Sequence, residues 1–326
     1  MEELVLSTGQ RGFHLVDEAA PPRLLRELAL EILRRGLQVH FWGNIRFERS
    51  YTPDLCRLLA AAGLIAVTGG LEVASDRLLA KMDKGITVAQ AARAASAFTD
   101  AGVLVHAYLM YGFPSQTVEE TIDAMEVVRQ FFTEGVLGSA FWHRFVLTRH
   151  SRVFAEPHAY GVHVDVPRNV FATNDLPHED PIGADPDPFD VPLAESLAAW
   201  MRGDGLEHPV ETWFGSREVQ STRVPAGYIR SLLNAADCAE DGGQRLVWVG
   251  DGVLETDDGV VLLCGDSEAV IQASADVVGW IMDTLDAADP GGQGCTLADV
   301  RSCFPGEWQV WKVQWQTLRR AGLLLV

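Results

Sequence analysis

The chain has 326 residues, 48% of them hydrophobic, which is enough for one large globular domain or two smaller ones. Its formal net charge of −19 sets the average surface against phosphate backbones and anionic membranes, so no nucleic acid and no membrane is expected as a partner. Five scattered cysteines (Cys56, Cys238, Cys264, Cys295, Cys303) with no C-x-x-C pair fit a reducing, cytoplasmic setting better than a disulfide framework.

The N-terminal "MEELVLSTGQRGFHLVDEAAPP" lacks the basic start and long apolar run of a signal peptide, and no uninterrupted apolar stretch reaches spanning length. "GFHLVD" reads as a short buried strand ending at Asp17 and Glu18, followed by "PPRLLRELALEILRRG" with proline at a helix start and Gly36 at its stop. "LQVHFWGNIRF" is the next strand; Thr52 then serves as N-cap, Pro53 as first helical residue, and Leu55, Leu58, Leu59 and Ala62 share one face before Gly63. "LIAVTGG" leads into an alanine-rich helix where Thr87 and Gln90 make a capping box, ended by Gly102. "GVLVHAYLMYGFP" is another strand, Thr117 with Glu120 caps "VEETIDAMEVVRQFF", and "LGSAFWHRFVL" closes the series. Five strands separated by helices imply parallel crossovers, hence an α/β sheet that is doubly wound or curved into a barrel.

Past residue 150 the texture changes. "NDLPHEDPIGADPDPFDVP", residues 174 to 192, is dense in proline and aspartate and reads as a loop or linker; its acidic part, 179 to 190, reads as a solvated turn. "RLVWVGDGVLETDDGVVLLCGD" looks like strands joined by Gly/Asp turns, with "TDDGV" a hairpin signal, and the tail holds amphipathic helices and a final strand. A small α+β, winged-helix-like module is expected there, which divides the chain into 1–150, 151–244 and 245–326. Trp308, Trp311 and Trp315 fall at helical spacing and read as a core stripe, while His143, His150, His158 and His163 match no metal-ligand spacing.

In a parallel α/β architecture, functional groups belong at the carboxyl ends of the strands. Polar or glycine-rich sets stand there: Asp17 and Glu18; Asn44 and Arg46; Gly69, Gly70, Glu72 and Ser75; Tyr111, Gly112, Pro114 and Gln116. Taken singly, each has a plain alternative: a helix cap or solvated turn for the carboxylates, backbone geometry for the glycine pair, a rim ion pair for Arg46, a packed ring for Tyr111. Four sets in successive β/α units argue for one ligand held between them.

The stretches "FHLVDEAAPP", "VHFWGNIR", "LIAVTGGLEVASDRLLAKMDKGIT" and "AGVLVHAYLMYGFPSQTVEETIDAM" resemble, in order, the second to fifth strands of the radical S-adenosylmethionine (radical SAM) barrel, and among its members the group that often carries a cobalamin-binding domain. The resemblance spans roughly residues 10 to 150 and rests on G-x-E-x-x-S, K-G-x-T and G-F-P-x-x-T. It implies a partial (β/α) barrel missing its first strand. It further implies that Glu72 and Ser75, with Gly70 beside them, bind the ribose or amino-acid portion of SAM. Asp17 and Glu18 would lie near the SAM amino group, Arg46 would meet its carboxylate, the backbone at Tyr111 and Gly112 would face its adenine, and Asn44 would belong to the same cofactor-binding set. Lys84 is expected to be a surface helix end without a role in binding.

The family's chemistry needs a C-x-x-x-C-x-x-C run whose three thiolates hold a [4Fe-4S] cluster, and this sequence has none. By the resemblance the chain begins just before the second strand. The cluster ligands, the first strand and any cobalamin domain would then come from an upstream half or a partner chain. Two other readings stay open: a degenerate, noncatalytic barrel acting as a binding subunit, and an interaction module working through its C-terminal helices.

Overall fold

A computed structural model describes residues 1–165, 174–234 and 241–326; Cys238 lies outside them. After a short helix α1 (Glu2–Thr8), the first half alternates strand and helix: β1 (Gly12–Leu15), α2 (Pro22–Arg34), β2 (His40–Ile45), α3 (Pro53–Ala61), β3 (Leu64–Glu72), α4 (Asp76–Lys81), α5 (Val88–Asp100), β4 (Leu104–Tyr111), α6 (Val118–Thr133) and β5 (Ser139–Arg144). The starts of these helices are set locally. Thr52 accepts from Leu55 N, and Thr87 with Gln90 and Thr117 with Glu120 each form a reciprocal capping box.

The five strands are all parallel and lie in the order β1-β2-β3-β4-β5, so the sheet is wound in one direction, as a barrel wall is, and has no switch point of a doubly wound sheet. One face is covered: Leu25 and Ile32 of α2, Leu58 and Leu59 of α3, Phe98 of α5, and Met125, Val128 and Phe131 of α6 form one core with Phe41, Val67, Val105, Leu109 and Trp142 of the strands. The opposite face is left without a covering layer by the described residues, and Trp42, Tyr108 and Phe141 are exposed on it. Strand burial alternates accordingly, most clearly in β2 and β4, whereas a parallel sheet covered on both sides would read as continuous buried runs. The outer edge of β1 has no strand partner among the described strands.

The segment read as a linker and solvated turn is docked instead. Ala184 N donates to Gln116 O at 2.8 Å, Ser115 N donates to Asp180 Oδ2 at 2.6 Å, and Arg144 pairs with Asp187 at 2.7 Å. Asp180 reaches back to a backbone donor just past β4, while Glu179, Asp185, Asp187 and Asp190 stay exposed, so the acidic charge is solvated as expected on a segment that is nonetheless docked. Phe189 and the helix Asp190–Trp200 then enter the same core as the barrel helices through Leu193, Leu197 and Trp200, so the core runs across residue 150.

The C-terminal region has its own core. Strands Gly252–Thr256, Gly259–Cys264 and Ser267–Gln272 form an antiparallel meander with the hairpin at "TDDGV", and Arg245–Trp248 pairs antiparallel with Cys295–Thr296 and Leu323–Leu325. Helices Ala275–Ala288, Leu297–Ser302 and Trp308–Ala321 pack on them. Trp311 and Trp315 are buried there and Trp308 lies against them, the core stripe that their spacing implies. Arg57 of α3 donates to the carbonyls of Arg319 and Arg320, and Asp54 pairs with Arg319, which joins this region to the barrel helices.

Candidate functional site

The carboxyl end of β3 shows why two glycines stand together. A side chain at Gly69 would point to the covered face, where a Cβ would meet the Phe47 ring at 2.6 Å. Gly70 belongs to the bare face, and a Cβ there would run into the Glu72 carboxylate. The first glycine makes room for the core and the second for a charged group. The β3–β4 register shifts between Gly70 and Glu72, and Glu72 takes a left-handed φ of 54°. That conformation costs a residue with a Cβ something to hold and folds the carboxylate back over Gly70. The side chain is 12% exposed and pairs at 2.8 Å with Lys84 Nζ, so the helix end that carries Lys84 is tied to Glu72.

Ser75 is the N-cap of α4, yet its side chain accepts no capping bond. Asn44 lies on the bare face at the end of β2 and donates to Asp17 O at 3.4 Å. Asp17, Glu18 and Arg46 are exposed on the same rim, and Arg46 makes no ion pair among the described residues. Asp17, Asn44, Gly70 and Glu72 are thus brought to adjoining strand ends. Tyr111 and Gly112 sit differently. The Tyr111 ring is buried, its hydroxyl donates to Asp190 Oδ1 at 2.7 Å, and burial followed by that bond pushes its pKa up to about 12. Gly112, at φ 72°, abuts Pro186. Their side of the rim is closed by the docked 176–190 segment, which leaves the β1–β3 ends as the open part.

The bare sheet face carries residues that the motif reading passed over. The register aligns Asn44, Thr68, His106 and Ser139 in one polar row across four strands. Aromatic rings flank it: Trp42 stacked on His14 at 5.3 Å on one side, Tyr108 and Phe141 around His143 at 5.5 and 4.6 Å on the other. His106 Nδ1 is 2.8 Å from Ser139 Oγ, and burial, then the neighbouring His143, draw its pKa below the usual imidazole value. This favours a neutral ring that both donates and accepts. The signal was present as period-two alternation in "HFWGN" and "HAYLM", where polar and aromatic positions fall on one face.

The described cysteines do not fit an iron-sulfur cluster. Cys56 is fully buried in α3, where desolvation pushes its thiol far up, and Cys264, Cys295 and Cys303 lie in the C-terminal region away from the rim. Among the described residues no group of three or more His, Cys, Asp or Glu side chains could hold a metal ion, and no helix is long and apolar enough to cross a membrane.

Residues 18–128 match the sequence profile of the Radical SAM superfamily, a stretch that holds the rim residues from Glu18 to Gly112 but neither Asp17 nor the docked 176–190 segment. No curated protein matches the chain. Among solved structures it is similar to the radical SAM methyltransferase TsrM from Kitasatospora setae with cobalamin and a [4Fe-4S] cluster bound (19% identity, 52% of this chain and 36% of that one, TM-score 0.40). It is also similar to the cobalamin-dependent SAM radical enzyme OxsB (16% identity, 38% and 20%, TM-score 0.32) and to Elp3 of Methanocaldococcus infernus (14% identity, 48% and 43%, TM-score 0.31). The chain spans less than half the length of each.

Proposed function

We propose that this chain is the SAM-facing wall of a radical SAM protein, with the cluster ligands supplied by another polypeptide segment, either an upstream half or a partner chain. The observation that carries the reading is the Glu72 carboxylate, folded over Gly70 at the carboxyl end of β3 on the bare face of a singly wound parallel sheet, inside the matched region 18–128. Glu72 would accept hydrogen bonds from SAM, Ser75 and Asn44 would add donors and acceptors, and Arg46, which makes no ion pair among the described residues, would face an anionic group. A [4Fe-4S] cluster, when bound, supplies the electron for reductive cleavage of SAM. The residues of this chain would orient the nucleoside and shield the bare face, whose polar row and flanking rings form the floor under the reacting substrate. The edge of β1, which has no strand partner among the described strands, would take the completing strand, because a sheet edge offers backbone donors and acceptors for pairing. Cobalamin would enter with that other segment, and the free thiols suit a cytoplasmic setting. In the second reading the same wall binds without catalysing.

Anaerobic reconstitution with iron and sulfide, followed by iron analysis and visible absorption, tests the division of labour. The chain alone is expected to retain no stoichiometric cluster, because it has no three thiolates at the rim. A chelation-resistant four-iron centre in the chain alone would contradict the proposal.

A further inference from the structure

Glu72, Ala74 and Asp83 all hold a left-handed backbone, with φ of 54°, 46° and 56°. Such outliers persist only where the surroundings impose them, and these three frame one ion pair. Asp83 ends α4: its N–H bonds to Ala80 O at 3.0 Å and that of Lys84 to Leu79 O at 3.1 Å, the paired bonds of a left-handed helix stop. Glycine is the usual residue there; this chain uses an aspartate, tied by Arg152 at 2.8 Å, and follows it with Gly85 at φ 68°. The turn sends Lys84 back to Glu72 Oε1.

We propose that Lys84 is a positioning residue: its ammonium fixes the Glu72 carboxylate and, by supplying the positive charge at that spot, restricts the ligand group Glu72 accepts to neutral hydroxyls, such as a ribose diol, and excludes an ammonium. The specificity part rests on the reading that this rim takes SAM. A carboxylate has about four acceptor positions and Lys84 occupies one, which leaves others for hydroxyl donors. A second cation within about 4–6 Å of the first would be repelled. Gly70, with no side chain, leaves the carboxylate approachable from the bare face.

Adenosine, 2′-deoxyadenosine and L-methionine are titrated calorimetrically into the parent, Lys84→Met, Glu72→Gln and the double variant, after circular dichroism shows each folded. Adenosine should bind the parent about tenfold more tightly than 2′-deoxyadenosine. Lys84→Met should weaken adenosine about tenfold in the parent background and not in Glu72→Gln, while Lys84→Arg retains binding. Equal losses in both backgrounds, or Glu72-dependent methionine binding to the parent, would overturn the proposal. The Lys84 ε-methylene NMR signal without ligand separates the two levels. If no variant binds adenosine and the signal still moves on Glu72→Gln, the SAM reading and the diol selectivity fall and the positioning role stands; a signal that does not move removes the positioning role.

Discussion

Gly70→Ala should leave the chain folded and weaken SAM binding about tenfold to a hundredfold. The added Cβ meets the far end of a flexible side chain, the Glu72 carboxylate, which can swing away, and Gly70 itself has no left-handed φ that alanine would strain. Stability should therefore change little. Displacing the carboxylate removes a charge-assisted acceptor worth about 1.5–3 kcal/mol, which is the stated range of affinity. Calorimetric titration beside thermal unfolding reads both quantities, and unchanged affinity with unchanged melting temperature would mean that the Gly70–Glu72 contact serves only the local turn.

Gly69→Val, one position earlier, should do the reverse. Its Cβ would lie 2.6 Å from the ring of Phe47, a side chain 1% exposed in the barrel core and unable to move without displacing its neighbours. Overpacking of this kind costs about 1–3 kcal/mol, and the further valine methyls press against the same ring. The variant should lose cooperative stability in urea, and Phe47→Leu in the same chain should restore part of it by opening space. A Gly69→Val chain as stable as the parent would show that the ring does not pack there in solution. The adjacent glycines thus separate by test into a core position and a site position.

The helix starts were legible because they depend on neighbours three residues apart: Thr52, Thr87 and Thr117 cap as their spacing implies. The parallel strands followed from apolar runs broken by helices. The Lys84–Glu72 pair was not legible, since it depends on two left-handed turns; aspartate tolerates that conformation better than most residues but adopts it only in a few cases, and glutamate at Glu72 announces nothing of the kind. The docking of 176–190 was hidden for a related reason. Its aspartates serve distant groups, Ser115 N for Asp180 and the Tyr111 hydroxyl for Asp190, and composition reports only polarity. The row of Asn44, Thr68, His106 and Ser139 needed the strand register to bring it together, although the alternation within each strand could have marked one face as uncovered.

The most direct test of the account is a titration of SAM into the chain and into Glu72→Gln, with backbone amide NMR shifts as the readout. The account predicts saturable shifts at the β2 and β3 ends, around Asn44, Arg46 and Gly70 to Ser75, that weaken about tenfold or more in Glu72→Gln while the C-terminal region stays still. Absence of saturable shifts at that rim, or equal affinity in the two proteins, would contradict it.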